Sequence, residues 1–134
     1  MKRVYEIDGS KFSTLEEFFA QIVHILFPGA PWLSGLDGFN DVLRGGFGSP
    51  EGGFILRWSN SALSRERLGY PETVRQLEKL LHTSLSSNCS HFEQKLELAS
   101  SQIGSTVFDW LIQIIQIHCP GGAEEEDGVE LILD

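Results

Sequence analysis

Three short apolar runs, at residues 3–7, 54–58 and 129–133, stand far apart along the chain. The first, around Val4, Tyr5 and Ile7, breaks at Asp8-Gly9. The second, from Phe54 to Trp58, runs from glycines into Ser-Asn-Ser, and the third alternates Val129, Leu131 and Leu133 with Glu130 and Ile132. Runs of this length bounded by turn residues read as strands. Each intervening segment is long enough for a helix-bearing crossover, which parallel neighbours need and hairpins do not. The pattern therefore predicts an α/β fold around a small three-stranded parallel sheet. With 134 residues and 41% hydrophobic content, the chain can bury one sizeable core, and a single domain over 1–134 is expected.

Helical periodicity predicts helices over about 14–27, 35–44, 71–83, 91–103 and 105–118. Ser13 and Glu16 have capping-box spacing before Leu15, Phe18, Phe19 and Ile22, and Pro28-Gly29 stops that pattern. Ser34 can cap a short helix through Arg44, after which Gly45 to Gly53 reads as a glycine-rich connection. Pro71 sits at a first helical position ahead of the stripe Val74, Leu77, Leu80 and Leu81. Phe92, Leu96, Ala99 and Ile103 make a further pattern, broken by Gly104-Ser105, which offers a cap for the next helix. That last segment is apolar nearly all round, which calls for burial on most of its surface, and His118 in its final turn suits the negative helix end.

Nineteen acidic residues against 10 basic ones, a net charge of -9, argue against binding to a phosphate backbone and favour a basic partner. The chain has no run of about 18 apolar residues, and MKRVYEIDGSKF lacks the apolar stretch of a secretory signal, so a cytoplasmic protein without membrane association is expected. Cys89 and Cys119 form no CxxC pair, and His24, His82, His91 and His118 follow no metal-ligand spacing. The glycine-rich stretch lacks a phosphate-loop motif. No cofactor or metal is expected.

Asp37 and Asp41 lie four apart, a spacing at which like charges on a helix cost a few tenths of a kcal/mol. At 100° per residue, Leu36, Phe39 and Leu43 fall on one side and Asp37, Asn40, Asp41 and Arg44 on the other. Asp37 is explained by the helix dipole, since it sits in the first turn. Asp41 lies past it, with only Arg44 in pairing range. A catalytic general acid needs the raised pKa that burial gives, and two carboxylates on a polar face lack it, so no enzyme is expected. Trp58 and Trp110 fall in apolar runs and belong to the core, whereas Trp32 lies in a proline-flanked loop just before the acidic segment.

The order of strand, capped helix, aromatic loop, "GLDGFNDVLRG" helix, strand ending in Trp58, apolar helix and "GVELILD" strand resembles the barstar family of intracellular ribonuclease inhibitors, over roughly 2–61 and 104–134. That family's acidic-helix pattern is met by Leu36, Asp37, Phe39, Asp41, Leu43 and Gly45. The resemblance implies an immunity-type function in which Asp37 and Asp41 occupy the phosphate sites of a basic ribonuclease or nuclease toxin, one to one; the sequence leaves the oligomeric state open, a monomer being the expectation. Trp32, Asn40, Arg44 and the Gly45-Gly46 backbone would line the same contact, and Gln113 stands near where the last helix can add an acid. Asn40 and Gly46 occupy places where the family commonly has aromatics, which points to a nuclease other than barnase. The segment of about 65–103 has no counterpart in a minimal member and reads as an inserted pair of helices. Its length motivates the alternative, a protein-interaction module that binds a non-nuclease partner through the insert.

Overall fold

The structure, a computed structural model, describes residues 3–26, 36–44, 53–83, 86–124 and 127–134, with the backbone alone described at 37, 41, 42, 44, 83 and 86–89. Three parallel strands, β1 (Val4–Asp8), β2 (Ile55–Ser59) and β3 (Glu130–Leu133), form one sheet in the order β1-β2-β3. Val4 stands opposite Ile55 and Ile55 opposite Glu130, so each strand begins one residue later than the apolar pattern predicts. The helices are α1 (Leu15–Leu26), α2 (Leu36–Arg44), α3 (Ser61–Arg67), α4 (Tyr70–Thr83), α5 (Ser86–Ser100) and α6 (Val107–Ile117). Among the described residues, no helix is long and apolar enough to cross a membrane.

β2 is the central strand, and its side chains alternate. Leu56 and Trp58 are fully buried, while Arg57 is exposed and paired with Asp134. Trp58 stacks on Phe18 with ring centroids 5.2 Å apart and meets Phe108 edge-on at 5.2 Å, so strand, α1 and α6 share one aromatic core. Its indole N–H donates to Ser64 Oγ at 2.9 Å, which gives the buried ring the partner it needs. Trp110 packs against the same core as a partly buried residue.

Ser64 belongs to α3, a helix that the Ser-Asn-Ser turn pattern does not reveal. α3 starts from Asn60 in the left-handed conformation (φ 54°), a backbone that asparagine tolerates. Asn60 Nδ2 donates to Asp8 Oδ1, which also accepts from Ser10 N–H and Ser10 Oγ. Hydrogen bonds from the Ser10 and Asn60 side chains, then from the Ser10 backbone, hold the Asp8 carboxyl down to about 2. Gly9 lies so close that a Cβ there would sit 2.1 Å from Ser64 Oγ and 2.6 Å from Asn60 O, so only glycine fits.

The caps fall one residue from where the sequence pattern puts them. Thr14 Oγ1 accepts from Glu17 N–H, and Glu17 reaches back to Ser13 N–H. Glu16 is thereby left to pair with Arg75 and Lys79 of α4. For α6 the cap is Thr106, in a reciprocal box with Asp109, and not Ser105. α5 also begins earlier and ends sooner than the predicted 91–103, at Ser86 and Ser100, because its leading serines form helix instead of loop.

The predicted insert is wired into the rest of the chain. Glu72 Oε2 of α4 accepts from Leu15 N–H at 2.8 Å, and Thr73 Oγ1 accepts from Val107 N–H at 2.9 Å. One turn of α4 thus satisfies orphan donors at the starts of both α1 and α6, which is what helix N-termini require. Glu72 is almost fully buried and also accepts from Arg75 and Gln76. Glu72→Ala strands these donors and is expected to cost about 2–3 kcal/mol in urea unfolding, with Glu72→Gln losing less because it keeps an acceptor. α5, by contrast, packs mainly on α4 and exposes Leu98.

Candidate functional site

α2 is amphipathic and short, and it depends on tertiary contacts to persist. Phe39 is fully buried, meeting Phe18 edge-on at 5.4 Å and Phe19 at 6.0 Å, and Leu43 is buried one turn on. These two side chains fix which way the helix faces. The helix also packs against α6.

Asn40 departs from the expected outward face. It is half-buried, and its Oδ1 lies 2.7 Å from Nε2 of His118, the residue that ends α6. On the helical wheel Asn40 stands at the border of the apolar side next to Leu36, so a modest rotation of the helix turns its amide inward, where the imidazole satisfies it. Asn40 therefore orients α2 through His118 and is turned further inward than the outward face on which the wheel places it.

His118 is fully buried and bonded on both ring nitrogens. Nδ1 lies 2.6 Å from Asp127 Oδ2 and 3.4 Å from Glu124 Oε2. The backbone adds to the knot: His118 O accepts from Val129 N–H at 3.1 Å, just before β3, and Ile117 O accepts from Glu124 N–H at 2.8 Å. A single imidazole thus joins α2, the end of α6 and the acidic turn leading into β3. The sequence places a histidine at a helix end ahead of a Pro-Gly-Gly and an acidic run, but it gives no signal that Asn40, 78 residues away, completes the arrangement.

The remaining predicted contact residues are placed as follows. Asp37, Asp41 and Arg44 have their backbone in α2, and their side chains lie outside the described residues, as do Trp32, Gly45 and Gly46 altogether. Gln113 is exposed on α6 and lines an open cleft of about 720 Å³ with Gln116, Ile117, Leu131 and Leu133. No described residue of α2 lines that cleft. The His118 imidazole bonded to the Asn40 amide, together with the core-facing Phe39 and Leu43, braces α2. Comparison with known proteins returns no matching family model, no similar curated protein and no similar solved structure.

Proposed function

We propose that this chain is a non-enzymatic, cytoplasmic inhibitor of a basic ribonuclease or nuclease toxin, acting by phosphate mimicry through Asp37 and Asp41 of α2. The observation that carries the reading is the bracing of α2. A helix of nine residues is fixed by Phe39 and Leu43 from beneath and by the Asn40–His118 bond at its border. Holding two like charges on such a platform lowers the ordering cost of binding a cationic site. The sequence resemblance to the barstar family and the net charge of -9 favour the same partner chemistry. Attraction between an acidic chain and a basic enzyme accelerates encounter and is screened by salt.

The test is inhibition of RNA hydrolysis by small basic ribonucleases, including any encoded beside this chain in its host, with association followed by stopped flow. One-to-one inhibition is expected, with an association rate that falls roughly tenfold or more between low and high salt. A host partner that binds equally fast at all salt concentrations and has no cationic active site overturns the reading.

A second reading, an interaction module using the inserted helices, is favoured by the exposure of Leu98 (47%) in the last turn of α5 and of Ile103 (55%) just beyond it. On that reading α5 is the contact helix we propose, since the first turn of α4 is engaged in capping α1 and α6. Leu98→Asp combined with Ile103→Asp separates the two, because it blocks only a partner seated on α5.

A further inference from the structure

We propose that His118, Glu124 and Asp127 form a binding site for a divalent transition-metal ion of the zinc class. His118 Nε2 faces Asn40 Oδ1 at 2.7 Å, which orients the ring. Nδ1 then faces two carboxylate oxygens, at 2.6 and 3.4 Å. One imidazole nitrogen and two carboxylate oxygens thus converge on one point beside a buried ring, which is a metal-ligand donor set. An imidazole whose other nitrogen donates to a side-chain oxygen is the usual arrangement of a ligating histidine.

The donor set suits zinc, cobalt or nickel better than magnesium or calcium, which prefer oxygen-only shells. The three ligand atoms lie within 4.8 Å of one another. Zinc holds nitrogen and oxygen ligands at about 2.0–2.2 Å, which sets neighbouring ligand atoms about 3.3 Å apart in a tetrahedron. The Glu124 oxygen already meets that spacing from Nδ1, and the Asp127 oxygen has less than about 1 Å to withdraw. Both acids sit in the turn between α6 and β3, and both carboxylates are partly exposed, which gives the ion an entry path and a place for bound water. An ion there ties the end of α6 to the start of β3 and, through Asn40, to α2.

The test uses the full chain freed of metal, titrated with Zn²⁺ by calorimetry and with Co²⁺ by visible absorption. One equivalent is expected to bind, with the visible bands of a four- or five-coordinate cobalt site. Glu124→Gln and Asp127→Asn should each weaken binding at least about tenfold while the circular dichroism stays unchanged. In the wild-type protein, the nitrogen resonance of His118 Nδ1 should shift on adding Zn²⁺. The proposal is overturned if Zn²⁺ shows no saturable binding up to millimolar levels, if both variants bind it as the parent does, or if Nδ1 keeps a proton in excess Zn²⁺.

Discussion

Trp58→Ala is expected to cost about 4–5 kcal/mol, the largest stability loss of any single side chain here. Three effects add. The indole is fully buried at the centre of the sheet, so its removal leaves a cavity that neighbours from three elements cannot close together. The stacked contact with Phe18 and the edge contact with Phe108 are lost with it, each worth roughly 0.5–1.5 kcal/mol beyond area. Ser64 Oγ, also fully buried, loses the indole donor and with it the tie between β2 and α3. A domain of this size commonly has about 5–15 kcal/mol in hand, so the variant loses about a quarter or more of its margin. Thermal unfolding should fall by roughly 10–20 °C. Trp58→Phe refills most of the volume but not the hydrogen bond, and should recover more than half of the loss. A fall of less than about 1 kcal/mol in Trp58→Ala would mean that the aromatic cluster is not the core.

Much of this core was legible in the sequence, for a physical reason. Strands with alternating or continuous apolar runs, and helices with a strong 3.6-residue stripe, reveal themselves because the same burial that stabilises them writes the pattern. Leu15, Phe18, Phe19 and Ile22 illustrate the helical case and Leu56 with Trp58 the strand case. α3 was not legible, because its seven residues are held by tertiary bonds: Trp58 to Ser64, and Arg67 to the carbonyl oxygen of Ser10. α5 was legible only in its second half, since its apolar side chains are sparse and its partner is mainly α4.

The candidate site divides in the same way. Asp37 and Asp41 can be found from spacing alone, because an unexplained like-charge pair within one helix is a local signal. The bracing of that helix cannot, because Asn40, His118 and Asp127 come from three elements and meet only after the sheet has formed. The same distance in sequence explains why Asn40 was read as part of the outward face. A helical wheel assigns borders by angle, whereas a buried imidazole at the border decides where a half-polar amide goes. The insert is a similar case: its length alone left its role open, and only the fold brings Glu72 and Thr73 of α4 to the starts of α1 and α6.

Replacing Asp41 by alanine is expected to cost about 3–5 kcal/mol of affinity for a basic ribonuclease partner, two to three and a half orders of magnitude in Kd, because it leaves a desolvated cation of the enzyme without its counter-charge. Asp37→Ala should in addition lower the stability of the free protein by about 0.3–1 kcal/mol, since a first-turn acid favours the helix dipole. Stability should respond differently to Asp41. Its removal leaves Phe39, Leu43 and the Asn40–His118 bond intact and relieves the like-charge spacing, so urea unfolding of Asp41→Ala should be unchanged or higher by a few tenths of a kcal/mol. Affinity and stability moving in opposite directions is the mark of a residue kept for recognition at a cost to the fold. A structural role for Asp41 predicts the reverse, a loss of stability with binding affected only in proportion to the unfolded fraction. Calorimetry with the partner and denaturation of the free protein, done on the same variant, separate the two. A tight complex indifferent to Asp41→Ala removes phosphate mimicry as the mechanism, whatever the partner proves to be.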